Sequence, residues 1–318
     1  MAQETIVFAL GGNAILHPGQ KGTIEEQMAN IETACTYIAE IIASSGYRVV
    51  ITHGNGPQVG NVLLQNEAAR DLVPMMPLDV CGAATQGMIG YIIQQTLANI
   101  LRKAELPHNI TTVLTQTIVD KDDPAFRNPT KPVGPFYDEE EAGKLRWERG
   151  WNLIYDSGRG YRRVVPSPKP VGIQETRIIK NMLNNNEIVV AVGGGGIPVT
   201  RDMNRSLRGV DAVIDKDLAT GRLAQDICAD ILMILTDVEQ AMLNYGQPEA
   251  KGISHMTAAE AEKYLAEGHF GVGSMKPKVE ASIEFVKPRG KKAIITELGK
   301  AAAALAGKAG TTITSSKS

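Results

Sequence analysis

Two periods divide this chain. Short β-branched and apolar runs read as buried strands, and between them apolar residues recur at the three- and four-residue spacing of amphipathic helices. The first run, IVFAL from Ile6, stops abruptly at Gly11, Gly12 and Asn13. A helix follows, opened by the capping-box pair Thr23 and Glu26, carried by Ile31, Ile38, Ile41 and Ile42, and stopped by Gly46. Further strands are predicted at 47–52, 111–115, 187–192, 231–236 and 293–296. Helices are predicted at 59–70, 79–104, 174–183 and 215–229, from the capping box of Thr257 and Glu260 to Glu267, and from a first turn holding Pro277 to about Lys287. Such alternation predicts an α/β fold: a mainly parallel central sheet between two helical layers, with ligands beyond the carboxyl ends of the strands.

One segment breaks the alternation. Residues 120–170 hold seven of the 16 prolines, seven of the 15 aromatic residues and both tryptophans, which marks a compact insertion rather than more sheet. A structural flap and an active-site lid are both open to such a segment, and a mobile lid is the expectation. Gly82, Gly87 and Gly90 inside the 79–104 helix each cost about 1 kcal/mol against alanine. Close helix packing, across a subunit interface for instance, is the expected compensation.

Composition narrows the class. A chain of 318 residues, 43% hydrophobic and 21% charged, buries a substantial core and is not disordered. Net charge is −2 without long runs of one sign, so nothing invites nucleic acid or an anionic membrane. Cys35, Cys81 and Cys228 lack metal-ligand spacing and read as reduced core thiols. The N-terminal residues have no basic and apolar leader pattern, and no apolar run reaches membrane-spanning length, so a soluble cytoplasmic protein is expected.

Three strands end in glycine loops. Gly11, Gly12 and Asn13 follow the first, HGNGPQ (53–58) the second, and Gly193 to Gly196 the fourth. Glycines at a strand end let backbone N–H groups close on phosphate or carboxylate oxygens, and four in a row sacrifice too much backbone entropy to be a mere turn. Neither a dinucleotide fingerprint nor a P-loop fits the spacing. Lys131, Lys216 and Lys278 stand among Gly, Pro and Asp rather than on solvated helical faces. Asp215 and Asp217 flank Lys216 and would fix its geometry. Such cations suit the charge that develops on a transferring phosphoryl group. His53 reads as a local hydrogen-bonding residue rather than a base, and no Ser, His and Asp set assembles.

Nine ordered segments carry a resemblance: ALGGNA (9–14), THGNGPQVGN (52–61), PLDVCGAATQGMIGY (77–91), NPTKPVGPF (128–136), VVPSPKP (164–170), GGGGIPV (193–199), VIDKD (213–217), LTDV (235–238) and GHFGVGSMKPKVEA (268–281). In these the chain resembles the carbamate kinases, within the amino-acid-kinase superfamily, over nearly its whole length. The resemblance implies a three-layer α/β/α sandwich, a single domain over 1–318 with an inserted, protruding lid subdomain at 120–170. It implies reversible transfer of a phosphoryl group between ATP and carbamate, giving ADP and carbamoyl phosphate. Mg²⁺ would ride on the nucleotide phosphates without named protein ligands, the cellular direction would be ATP synthesis in arginine catabolism, and the assembly would be a homodimer.

By the same resemblance, Lys131, Lys216, Asp217 and Lys278 are the catalytic set. Gly11, Gly12, Asn13, Gly54, Asn55 and Gln58 would bind the carbamate or carbamoyl end. Gly194, Gly195, Asp237, Tyr245 and Met275 would frame the nucleotide. Ala9 stands where many superfamily members carry lysine, which disfavours an acetylglutamate kinase. Another amino-acid kinase acting on a carboxylate, and a catalytically silent nucleotide-binding module, remain the alternatives.

Overall fold

Eight strands form the central sheet of the computed structural model, which describes residues 3–106, 108–156, 158–271 and 274–316. Val272 and Gly273 of the last quoted motif lie outside them. In spatial order the strands are His255–Thr257, Thr311–Thr314, Lys292–Glu297, Ile231–Thr236, Thr5–Leu10, Arg48–His53, Ile188–Val190 and Ile110–Thr112. The last six are mutually parallel, and the first two run against them at one edge. Thr5–Leu10 lies between two parallel neighbours, pairing Leu10 with both Leu235 and His53, and every residue in it is buried. Full burial explains why it reads as a continuous apolar run.

Side-chain alternation along that strand divides the core in two. Ile6, Phe8 and Leu10 point into a cluster with Ile31, Ile38 and Ile41 of the Ile24–Ser44 helix and Ile89, Ile93 and Leu97 of the Leu78–Lys103 helix. Val7 and Ala9 point into the opposite cluster, with Leu223 of Lys216–Asp226, Ile283 and Phe285 of Met275–Val286, and Ile179 of Thr176–Asn184. The sheet is therefore covered on both faces, as the alternation of elements predicts. Both capping boxes form, at Thr23 with Glu26 and at Thr257 with Glu260.

A second, four-stranded sheet was not legible in the pattern. It joins Leu207–Gly209, Ile197–Arg201, Gln116–Val119 and Pro170–Ile173, so the chain re-enters regular pairing before and after the proline-rich segment. Within that segment, Lys131–Tyr137, Gly160–Val165 and Asn152–Asp156 make a three-stranded antiparallel sheet against the Glu139–Arg149 helix. Tyr137, Ala142, Leu145 and Leu153 give this unit a small core of its own.

Two expectations need correction. Of the helix glycines, Gly90 packs on a strand, not a helix: a Cβ there would lie 2.3 Å from the Thr112 side chain. Cys35 and Cys81 are buried, whereas Cys228 is exposed, because it sits in a left-handed turn (φ 58°) just past the Lys216–Asp226 helix.

Candidate active site

The carboxyl edge of the sheet sets the order of the site. Moving across it, the strands deliver Leu298, Asp237, Gly11, Gly54 and, just past Ile188–Val190, Gly193. The first three border a cavity of about 450 Å³, whose lining includes Gly12, Asn13, Met242, Tyr245, Met275, Lys216 and Lys278. Asn13 Nδ2 donates to Asp237 Oδ2 (3.0 Å), tying the first glycine loop to the neighbouring strand end. Gly12 has open space where a side chain would begin, so a ligand can approach it from that side, while its carbonyl accepts from the Ile15 and Leu16 N–H groups.

Three ammonium groups meet two carboxylates at the start of one helix. Asp215 caps the Lys216–Asp226 helix, its Oδ1 accepting from the Asp217 N–H at 2.9 Å. Its other oxygen accepts from Lys131 Nζ at 3.2 Å, across from the three-stranded unit. Asp217, 3% exposed, takes Lys216 Nζ on one oxygen (2.5 Å) and Lys278 Nζ on the other (2.9 Å). Burial alone would raise the Asp217 carboxyl, but the two ammonium groups outweigh it and hold it below the usual carboxylate range. A lysine in the first turn opposes the helix dipole, and Asp217 compensates locally.

The helices bearing Lys216 and Lys278 approach closely because Gly221 has no side chain: a Cβ there would lie 3.1 Å from the Ala281 carbonyl oxygen. A buried hydroxyl pair, Thr52 and Thr220 at 2.7 Å, and the bond from Thr220 Oγ1 to the Lys216 carbonyl (2.6 Å) fasten this helix to the second strand.

Beyond Gly11 lies the other half of the site. The Gly56–Ala68 helix starts at Asn55, whose side chain gives it no cap and donates instead to Thr85 Oγ1 at 2.9 Å. An uncapped helix start suits an anion. Each of the four glycines 193–196 is required by a neighbour. A Cβ would come within 2.4 Å of His53 Nε2 at Gly193, 2.3 Å of the Asn55 side chain at Gly194, 2.4 Å of the Ile214 carbonyl at Gly195 and 2.1 Å of Thr117 Oγ1 at Gly196. The last three also have positive φ.

Most of the residues singled out from the sequence share this edge. Gly54 abuts Gly12 and the Lys216 stem, while Gly194 and Gly195 pack on Asn55 and Ile214 rather than lining the 450 Å³ cavity. Gln58 is buried and donates to Gln27 Oε1 at 2.9 Å. Tyr245 lines the cavity while remaining 72% exposed. The two aspartates do not jointly clasp Lys216 as their flanking positions suggest; Asp217 does so alone, and Asp215 turns to Lys131. Residue-by-residue reading missed Gln86, which donates to the Gly193 carbonyl (3.1 Å) and accepts from the Thr115 N–H (2.5 Å). It also missed the cavity wall of Val238, Gln240, Phe270 and Leu298. Gln86, Val238 and Phe270 lie inside quoted motifs; Gln240 and Leu298 carried no signal.

A mainly parallel sheet between two helical layers, with glycine loops and lysines along its carboxyl edge, defines an α/β protein with a site suited to phosphate. The chain belongs to the amino acid kinase family, whose sequence model matches residues 4–297. Within it, the carbamate kinases of Thermococcus kodakarensis and Trichomonas vaginalis are 55% and 52% identical, covering 98% and 97% of this chain and 99% and 98% of theirs. The solved carbamate kinase from Giardia lamblia bound to AMP-PNP superposes with a TM-score of 0.94 at 49% identity, over 98% of this chain and 99% of that one.

Proposed function

We propose that the protein is a carbamate kinase, transferring a phosphoryl group reversibly between ATP and carbamate. The convergence of Lys131, Lys216 and Lys278 on Asp215 and Asp217 carries this reading. Carbamate is already an anion, so its oxygen attacks without a general base. The protein's task is to bring two anions together and neutralise the equatorial oxygens in the transition state. Lys216 and Lys278 supply fixed positive charge, Asp217 sets their spacing, and Lys131 adds a third cation from the inserted unit. Nucleotide binding is supported by the Giardia relative, which is solved bound to AMP-PNP, and the adenosine occupies the 450 Å³ cavity. Carbamate or carbamoyl phosphate meets the Gly12, Gly54 and Asn55 backbone.

Among the described residues no three Asp, Glu, His or Cys side chains gather to hold a metal, and Asp237 already accepts from Asn13 and Thr236. An Mg²⁺ would then be held chiefly by the nucleotide phosphates and would supply further positive charge to the transferring phosphoryl. The three-stranded unit acts as the lid, since it has its own core and supplies Lys131. A homodimer forms through the outer stripe of the Leu78–Lys103 helix, where Val80, Ala84, Met88 and Tyr91 are exposed at helical spacing. No described helix is long and apolar enough to cross a membrane. On this reading the enzyme works in the cytoplasm and produces ATP in arginine breakdown.

The purified protein, given MgADP and carbamoyl phosphate, should produce ATP in a hexokinase-coupled assay. Turnover of acetylglutamate instead, or binding of ADP without turnover, would replace this reading by one of the two alternatives.

A further inference from the structure

His53 is wholly buried at the end of the second strand and takes no part in the charge arrangement above. Its Nδ1 lies 3.0 Å from the Gly54 carbonyl oxygen, so Nδ1 must carry the proton and donate it. That leaves Nε2 as a bare acceptor, buried without a hydrogen-bond partner among the described residues. The imidazole edge is pressed against Gly193, where a Cβ would lie 2.4 Å from Nε2 and 2.5 Å from Cε1. Gln86 holds Gly193 from its carbonyl side at 3.1 Å. One flat ring thus separates two glycine loops from adjacent strands.

The consequence follows from peptide geometry. A trans peptide is planar, so its C=O and N–H point in opposite directions. The peptide after Gly54 is trans, and pinning its oxygen to the imidazole fixes the direction of the Asn55 N–H at the uncapped helix start. Gly54 in turn abuts Gly12 and Lys216. Gly54, Asn55 and Gly193 do not line the 450 Å³ cavity.

Resting on the carbamate kinase reading, we propose that His53 is a positioning residue: by donating from Nδ1 and filling the gap to Gly193, it sets the carbamoyl-phosphate end of the site and leaves the nucleotide end alone. Protonation would place a second N–H against Gly193 with no acceptor and beside the Lys216 charge. Burial, with Lys216 adding to it, accordingly lowers the imidazole to about 4.

Two variants separate donor from bulk. His53→Leu keeps the volume and loses the donor, while His53→Asn restores an N–H near the Nδ1 position. A misplaced reactant binding group costs on the order of 100-fold, so kcat/KM for carbamoyl phosphate should fall about 10- to 100-fold in H53L and recover most of that in H53N. The Kd for ADP, measured by calorimetry, should stay within about threefold in both. Wild-type kinetics in H53L, no recovery in H53N, or parallel loss of ADP binding would each overturn the proposal. If H53L does not fold, nitrogen-15 spectroscopy of the wild-type imidazole still decides: at pH 7 the proton should sit on Nδ1, and a proton on Nε2 would overturn it. A wild-type protein inert toward carbamoyl phosphate would reject the functional reading, and the spectroscopic result would stand apart from that.

Discussion

At the residue scale, one buried carboxylate, Asp217, fixes two ammonium groups, and the proposed reaction asks no proton of it. Replacing it with asparagine keeps the shape but leaves two ammonium groups facing each other without a counter-charge. Loss of preorganised charge stabilisation is worth about 100- to 1,000-fold in kcat, and D217N should fall in that range while ADP affinity changes less than about tenfold. Steady-state kinetics with calorimetry checks the split.

The same residue sets part of the acid stability. Its native carboxyl is held below the unfolded value of 3.8, so the stabilisation is complete above that value and is lost as pH falls through the lower native one. His53 acts in a higher window. Its native value of about 4 lies below the ordinary 6.5, so the unfolded chain binds the extra proton first, and stability drains away from pH 6.5 down to 4. That loss amounts to roughly 3 kcal/mol at full depth. Urea midpoints at pH 7 and 4.5 should differ less in H53N than in the wild type; equal differences would count against a neutral buried imidazole.

At the scale of elements, three ion pairs among the described residues join the three-stranded unit to the body. Each places the cation on the unit and the carboxylate on the body: Lys131 with Asp215, Arg149 with Glu67 (2.7 Å), and Arg163 with Asp211. Trp151 lies between two of these arginines, with the Arg149 and Arg163 guanidinium carbons 5.0 and 4.3 Å from its ring centre. Partly exposed pairs are weakened by salt. Hydrogen exchange in 131–165 should therefore quicken from low salt to about 0.5 M, while exchange in Thr5–Leu10 holds steady; a uniform response would count against a separately moving unit.

Elements were unevenly legible. Long helices and fully buried strands announce themselves because one period dominates many residues, as in Ile24–Ser44 and Ile231–Thr236. Gln116–Val119 and Pro170–Ile173 did not, being four-residue strands beside proline in a small sheet where alternation has no length to show itself. The run Gly193 to Gly196 marks a place where neighbouring groups come close to the backbone. Which neighbour each glycine accommodates, as Gly193 does His53, and that Asp215 serves Lys131 rather than Lys216, depends on contacts between distant parts of the chain and has no local signal.

For the whole molecule, the exposed stripe of Val80, Ala84, Met88 and Tyr91 predicts self-association. Tyr91, 59% exposed, accepts a hydrogen bond from Gln95 and has no structural duty in the core. Tyr91→Glu should leave the thermal midpoint within about 2 °C, as most surface changes do, and shift the mass seen by light scattering from dimer to monomer. An unchanged dimer would place the interface elsewhere.

Of the three thiols, burial pushes Cys35 up to about 12 and raises Cys81 as well, so neither presents thiolate at neutral pH. Cys228 stands in the open at the far end of the helix that begins with Lys216, some 16 Å along its axis by the usual rise. Maleimide should accordingly attach one dye per native chain, confirmed by intact mass. That dye would stand within energy-transfer range of a fluorescent nucleotide, giving an optical gauge of occupancy without engineering a single residue.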